Sequence, residues 1–351
     1  MKEKRIYFVI GYFIRCQEKR EGSQKDTVTA GGVRMMRIGI VGAGIIGVSH
    51  KNAIMKNSRC ILAAVCDIAI EKAKKLVEGT NIPVYSDYKE MAQKEALDAV
   101  ILNLPHFLHK DVAVFFLERK IAVLVEKPMA NSVAECDAMI AASVESGTPL
   151  VVGHVQRYFA SYRALRELIQ SEKIGKLCIV TESRNSFYFA QTRPGWFWEK
   201  EKSGGGIAMN FGAHSIDKLL FTTGAEIDQV FANGNNFLND ANVEAAAQIL
   251  LKLSSGVSAT LSYSGCYSPQ QEEVTFYFTD GVAKVCGNRE LWISEKGKAF
   301  ERVDLDYTIN VLEAQLDAFL DYLAGKPSEI ATAQYGRKVI SVLEEAYGKI
   351  S

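Results

Sequence analysis

Hydrophobic and polar positions change rhythm partway along the chain. From residue 36, short apolar runs alternate with segments whose apolar positions recur three and four apart. "RIGIVG", "CILAAVCD", "LDAVILNLP", "IAVLVEKP" and "PLVVGH" are apolar throughout, as strands are when a parallel sheet is covered on both faces. Between them, the residues after Gly44, "IEKAKKLVE", "HKDVAVFFLERK" and "SVAECDAMIAASVESG" carry the helical period. Alternation of this kind with short connections predicts a doubly wound parallel sheet. It stops near residue 154.

Beyond that point the texture differs. A helix is expected over 161–171, followed by β-rich runs: "KLCIVTESRNSFYF", "EAAAQILLKLSS", "GVSATLSYSG", "EEVTFYFTD" and "GVAKVCG". A Gly-rich turn and helix, "SGGGIAMNFGAHSIDKLLFTTG", interrupts them, and helices near 308–324 and 332–348 close the chain. The expected organisation is α/β over 35–154, then an α+β domain over 155–351. The second domain would hold a large, mainly antiparallel sheet, and its terminal helix could pack back on the first. Residues 1–34 hold one apolar run, "IYFVIGYFI", too short to span a bilayer, and a charged stretch. We read them as a leader outside the fold. A signal peptide is the competing reading, but no small-residue cleavage site follows closely.

Composition narrows the function classes. The 351 residues are 48% hydrophobic and 23% charged, and 41 Lys+Arg balance 41 Asp+Glu. A net charge of zero gives no bulk attraction to nucleic acid or to an anionic membrane. The seven cysteines (Cys16, Cys60, Cys66, Cys136, Cys178, Cys266 and Cys286) are scattered and form no CxxC. They fit reduced thiols in a cytoplasm, with neither a disulfide framework nor a metal site.

The first strand runs into Gly42-x-Gly44-x-x-Gly47, directly before a helix. The first glycine allows the tight turn, the second lets backbone approach a pyrophosphate, and the third lets helix pack on strand. Backbone N–H groups at the helix start, at Ile45 and Ile46, would face the phosphates. Asp67 ends the second apolar run, twenty positions past Gly47, suited to ribose hydroxyls. Together these predict a Rossmann dinucleotide-binding domain over 35–154. Asp67 is followed by Ile68-Ala69-Ile70 with no adjacent arginine, which favours NAD, with NADP as the alternative.

This fingerprint, Glu126-Lys127-Pro128 after the strand "IAVLV", and "SGGG…N-x-x-x-H-x-x-D" in the second half resemble the Gfo/Idh/MocA family of oxidoreductases. "HKDVA" after "NLPHFL", "GHVQRY" and "RPGWFWEKEKSGGG" are also similar to family segments, in the same order. The resemblance runs from about Met36 to the end. It implies that Lys127 sits beside the nicotinamide and the substrate carbinol, that the Lys127–Pro128 bond is often cis, and that His214 is the acid or base on the substrate hydroxyl. It also places Pro105, His109 and Glu126 along the cofactor. Elementary physics agrees for Lys127: ligands bind at the carboxyl edge of such sheets, and a lysine desolvated there has its pKa lowered.

Asn210 stands where many members carry aspartate. It cannot act as a base, but could bond a sugar hydroxyl or orient His214 one turn on. Asp217 is either support for His214 or helix structure. Arg157 and Tyr158 are candidates for the substrate cleft, with an interdomain salt bridge the other reading for Arg157. Trp196 and Trp198 could floor a sugar ring or pack a core. His106 is read as a solvated loop residue, and its HxxH spacing with His109 lacks further metal ligands.

The expected activity is hydride transfer between NAD(P) and a carbinol or carbonyl of a sugar, polyol or derivative, with Lys127 and His214 handling the hydroxyl proton. The rivals are an NAD-recycling glycosidase working by oxidation and elimination, and a non-catalytic NAD/sugar sensor. Nucleic acid and membrane are not expected partners. The strands "AAAQILLKL" and "GVSATLSY" offer a sheet face for a homodimer or homotetramer.

Overall fold

The computed structural model describes residues 34–190, 193–237, 241–266 and 269–350. All but the last residue of the expected leader lies outside them. Among the described residues no helix is long and apolar enough to cross a membrane.

The first half alternates as its apolar rhythm requires: β1 (Met36–Val41), α1 (Ile45–Lys56), β2 (Cys60–Cys66), α2 (Ile70–Leu76), β3 (Val84–Tyr85), α3 (Tyr88–Lys94), β4 (Ala99–Leu102), α4 (His109–Glu118), β5 (Ala122–Glu126), α5 (Val133–Ser146) and β6 (Leu150–Gly153). The six strands pair in parallel in the order β6-β5-β4-β1-β2-β3. Ala99–Leu102 and Ala122–Val125 are buried at every position, because helices cover both faces. Ser132 caps α5 by accepting from Glu135 N, and Gly147 ends it in a left-handed turn at φ 65°, the favoured residue type at each end. The pair β3 and α3 was not expected, since two strand residues are too few to show a period.

The second half contributes α6 (Ala160–Ser171), β7 (Leu177–Asn185), α7 (Ile207–Thr223), β8 (Ile227–Asn235), β9 (Ala246–Leu253), β10 (Ser258–Ser264), β11 (Gln271–Phe278), β12 (Gly281–Cys286), β13 (Glu290–Glu295), β14 (Glu301–Arg302), α8 (Val311–Leu323), β15 (Ala331–Thr332) and α9 (Ala333–Tyr347). The sheet order is β14-β13-β12-β11-β7-β10-β9-β8, and only β7 and β10 run parallel. One face packs on α7, which is buried along nearly its whole length. The opposite face leaves Ile179, Phe231, Leu250 and Tyr277 exposed. In the register Phe231 pairs with Leu250, and Ile179 with Tyr277.

Three elements from the end of the chain return to the first sheet and its helices. β15 adds to β6 antiparallel. α8 packs on α1, burying Leu316, Phe319, Leu320 and Leu323 in the core beneath the parallel sheet. α9 packs against α5, α7 and β8.

Candidate active site

At the glycine turn each glycine has a separate reason. Gly42 has φ +100°, and a Cβ there would fall 2.2 Å from Asn103 O. A Cβ on Gly47 would fall 2.3 Å from Gly42 O. A Cβ on Gly44 would meet nothing within 4 Å, so the space above the helix start is open. α1 begins there with no side-chain cap and no acidic residue in its first turn, leaving its N–H groups free for an anion. Ile45 is 87% exposed, and Ile46 is exposed beside it.

Asp67 is held at the end of β2: Oδ2 accepts from Ala43 N at 2.8 Å and Oδ1 from Ala69 N at 2.8 Å. Each oxygen keeps a further lone pair for ribose hydroxyls. Beneath the turn, both polar atoms of the Asn103 side chain are buried without a partner. An open space, an uncapped helix start, a fixed carboxylate and an orphaned amide fit a dinucleotide.

His109, expected along the cofactor, serves as a strut instead. It is fully buried, with Nδ1 3.0 Å from Pro128 O and Nε2 2.9 Å from Leu104 O. Each ring nitrogen faces a backbone carbonyl at hydrogen-bond distance, and the neutral ring donates to one of the two. It ties the loop after β4, where Pro105 precedes a short 3₁₀ turn, to the segment carrying Lys127. His106 is likewise no solvated loop residue: it is buried, with Nδ1 2.9 Å from Ser203 O and its ring edge-on to Trp196 at 4.8 Å. Among the described residues no cluster of His, Cys, Asp and Glu is arranged to hold a metal.

Lys127 follows β5 at the carboxyl edge of the sheet, and the Lys127–Pro128 bond is cis. Glu126 supports it. Its Oε2 accepts from Lys127 N at 3.2 Å, and its Oε1 lies 3.0 Å from Nε2 of the buried His50. Burial would raise the Glu126 carboxyl, but His50 and Lys127 hold it below the usual range. Burial pushes the Lys127 ammonium down to about 8; Arg184 and Arg193 act in the same direction and Glu126 opposes them.

The second half meets Lys127 through α7. Lys127 Nζ donates to Asn210 Oδ1 at 2.5 Å, and Asn210 Nδ2 donates to Tyr188 OH at 3.1 Å. Asn210 is therefore spent on Lys127 and Tyr188 rather than on orienting His214. His214 lies one turn further, with Nδ1 buried and unpartnered. Burial, then Lys127, Arg184, Lys218 and His154, keep its imidazole neutral, well below the ordinary histidine range. Trp196 stacks on Phe197 at 3.8 Å and covers His106, while Trp198 packs edge-on against Phe189.

Arg157 and Tyr158 do not line this cleft. A 3₁₀ turn over Val155–Tyr158 turns both inward. Arg157 Nη2 donates to Asp217 Oδ1 at 2.6 Å and Nη1 to Glu329 O at 3.0 Å, with the guanidinium over the Tyr335 ring. Tyr158 is buried in the core with Leu316 and Phe319. Arg157 is thus a buried tie between the strand edge and α7, and Asp217 serves that tie.

The Gly-rich segment before α7 is a matter of close approach. A Cβ on Gly205 would fall 2.1 Å from Tyr347 Oη, and one on Gly206 2.1 Å from Glu244 O. The Glu244 carboxylate accepts from Gly206 N and Ala208 N, capping the helix that presents Asn210 and His214.

Sequence reasoning missed Arg184, Tyr188, Arg193 and His50. Arg184 had a signal: with Val180 and Glu182 it occupies the positions of β7 that face inward, where alternating strands normally place apolar residues. His50 gave none.

Two family models match the chain. One, described as "Oxidoreductase family, NAD-binding Rossmann fold", covers residues 36–154, and the other, "GFO/IDH/MocA C-terminal domain", covers residues 162–284. A 2,7-anhydro-N-acetylneuraminate hydratase of Mediterraneibacter gnavus is 26% identical over 250 residues, 70% of this chain and 66% of that protein. The chain thus spans just under two thirds of that relative's length. An inositol 2-dehydrogenase of Pseudarthrobacter chlorophenolicus is 24% identical over 307 residues, covering 84% of this chain and 88% of that one. The crystal structure of GenD2 from gentamicin A biosynthesis, in complex with NAD, is similar in fold, with a TM-score of 0.79 at 21% identity over 94% of this chain and 97% of that one.

Proposed function

The chain belongs to the Gfo/Idh/MocA oxidoreductase family, and from that premise we propose that it oxidises or reduces a CH–OH group of a sugar, polyol or sugar derivative with NAD. When bound, the nicotinamide supplies the hydride acceptor or donor. The chain supplies the rest. Gly44 and the start of α1 receive the pyrophosphate, and Asp67 the ribose hydroxyls. Lys127 takes the proton of the substrate hydroxyl in oxidation and returns it in reduction. Asn210 aims Lys127 Nζ, which is the neutral amine when it takes the proton and the ammonium when it returns it. His214, neutral at physiological pH, shares a hydrogen bond with the same hydroxyl through its ring.

One observation carries this reading: Lys127 Nζ is held 2.5 Å from Asn210 while its proton affinity is lowered to about 8. That value lies near the operating pH a general base needs. The test is NAD⁺ reduction across inositols, aldoses, amino sugars and sugar acids. Lys127→Ala should lower kcat by about 10²- to 10⁴-fold while dinucleotide binding persists. Full activity in that variant would sink the mechanism.

Similarity to a protein named as a hydratase favours one second reading, in which the substrate is oxidised, undergoes elimination or addition, and is reduced again within one turnover. Product formation with no accumulation of NADH would identify it. We also propose that a second copy covers the open face around Phe231 and Leu250, giving a homodimer or homotetramer; light scattering that returned a monomer mass would exclude this.

A further inference from the structure

The wall facing Lys127 is cationic beyond what its acids neutralise. α7 sets Asn210, His214 and Lys218 at four-residue spacing, and β7 turns Glu182 and Arg184 toward it. Lys218 is fully paired, with Nζ 2.6 Å from Glu182 Oε1 and 3.0 Å from Glu272 Oε1. Arg184 is not. Its Nε lies 3.5 Å from Glu272 Oε2, an acid already shared with Lys218 and Asn288, and its Nη1 is buried with no partner. Its guanidinium lies over Phe211 at 3.9 Å.

Arg193 comes from the segment after β7. It rests on the ring of Tyr188 at 4.0 Å and on Phe197 at 4.7 Å, and among the described residues it forms no ion pair. Tyr188 in turn holds Asn210, which holds Lys127. Three cations therefore surround the point where the hydroxyl is handled, and position 210 offers a neutral amide rather than a carboxylate. Glu126 is engaged behind Lys127 by His50 and the backbone.

A neutral polyol would leave this arrangement uncompensated. Like charges would still repel, and a buried guanidinium N–H would stay unsatisfied. An anionic group removes both costs. A guanidinium held over an aromatic ring can still offer its N–H groups to a planar, two-oxygen partner.

We infer that the substrate is an acidic sugar derivative whose carboxylate is held by Arg193 and Arg184 while its hydroxyl meets Lys127. This rests on the reading that Lys127 and His214 form the substrate site. The protein saturated with NAD⁺ would be titrated by calorimetry with matched pairs: glucose with glucuronate, galactose with galacturonate, mannose with mannuronate. Glucose 6-phosphate would be the other anion source. At least one carboxylate should bind about tenfold or more tighter than its neutral partner. Arg193→Gln, at a partly exposed position, should erase most of that preference and leave NAD⁺ affinity unchanged.

Equal binding within every pair overturns the inference, as does a preference that survives both Arg193→Gln and Arg184→Gln. Stronger binding of the phosphate than of every carboxylate overturns the carboxylate assignment. Tight carboxylate binding without any nicotinamide reduction sinks hydride transfer and leaves this inference standing. Reduction supported only by neutral polyols does the reverse.

Discussion

Asn210 accepts from Lys127 Nζ without adding charge, so the lysine titrates where burial and its charged neighbours put it. Burial lowers the ammonium to about 8, with Arg184 and Arg193 assisting. Replacing Asn210 by Asp would place a negative charge at the atom that accepts from Nζ. An opposite charge at that distance favours the charged form, so the folded-state pKa rises, by about one unit or more. Oxidation that needs the neutral amine gains rate as pH rises through this value. kcat/KM should therefore inflect near 8 in the wild type and higher in Asn210→Asp, where the rate at neutral pH should fall about tenfold for each unit. An inflection that stays near 8 would show that another group is titrating. The place of Lys127 at the carboxyl edge of the sheet was legible because a lysine directly follows an apolar strand; the role proposed for it came from the family resemblance. Arg157, Tyr158 and His106 were not legible in the same way. Residues just past a strand end look alike whether the next turn sends them outward or inward, and here the 3₁₀ turns at His106–Leu108 and Val155–Tyr158 bury them.

The glycine turn lets an element be tested apart from the fold that carries it. Gly47 faces Gly42 O at a distance no Cβ can share, whereas Gly44 faces open space. Gly47→Ala should destabilise the protein by about 1–3 kcal/mol through overpacking, seen as a lower thermal midpoint. Gly44→Ala should leave the midpoint unchanged and weaken NAD⁺ about tenfold or more, equivalent to about 1.4 kcal/mol, because the methyl fills the space where a pyrophosphate would rest. Retained NAD⁺ affinity in Gly44→Ala would move the pyrophosphate elsewhere. Five of the six parallel strands were readable because burial makes them almost continuously apolar; the two-residue β3 was not. β8 was not: Asp228, Asn233, Gly234 and Asn235 are poor strand formers, and its pairing with β9 decides its conformation. The glycines at 204–206 were readable as a signal, but their reason was not. Contact with Tyr347 and Glu244 joins residues far apart in sequence.

Across the whole molecule, the distance from Lys127 to α7 depends on how the two sheets are tied. β15 on β6, α8 on α1 and α9 on α5 bring the end of the chain back to the first sheet. At the site itself the tie is polar. Asp217 accepts from Arg157 Nη2 at 2.6 Å and from Tyr335 OH at 2.8 Å, so a residue after β6, one on α7 and one on α9 meet at a single buried carboxylate. Asp217 sits two turns past Asn210 on the same helix, so this carboxylate fixes the helix that aims Lys127. Asp217→Asn keeps the shape and removes the charge, leaving the Arg157 guanidinium buried without a counter-ion. Removing one partner of such a pair costs about 3–5 kcal/mol, and the urea midpoint should fall accordingly. Among the described residues no hydrogen bond or ion pair joins the glycine turn or Asp67 to this tie, so NAD⁺ affinity should change less than about threefold, well under 1.4 kcal/mol. kcat should fall with it, since α7 is then free to shift relative to Lys127. A lowered midpoint with an unchanged kcat would mean that β15, α8 and α9 hold the two halves in register by themselves; an unchanged midpoint would mean that the buried pair contributes nothing to the fold.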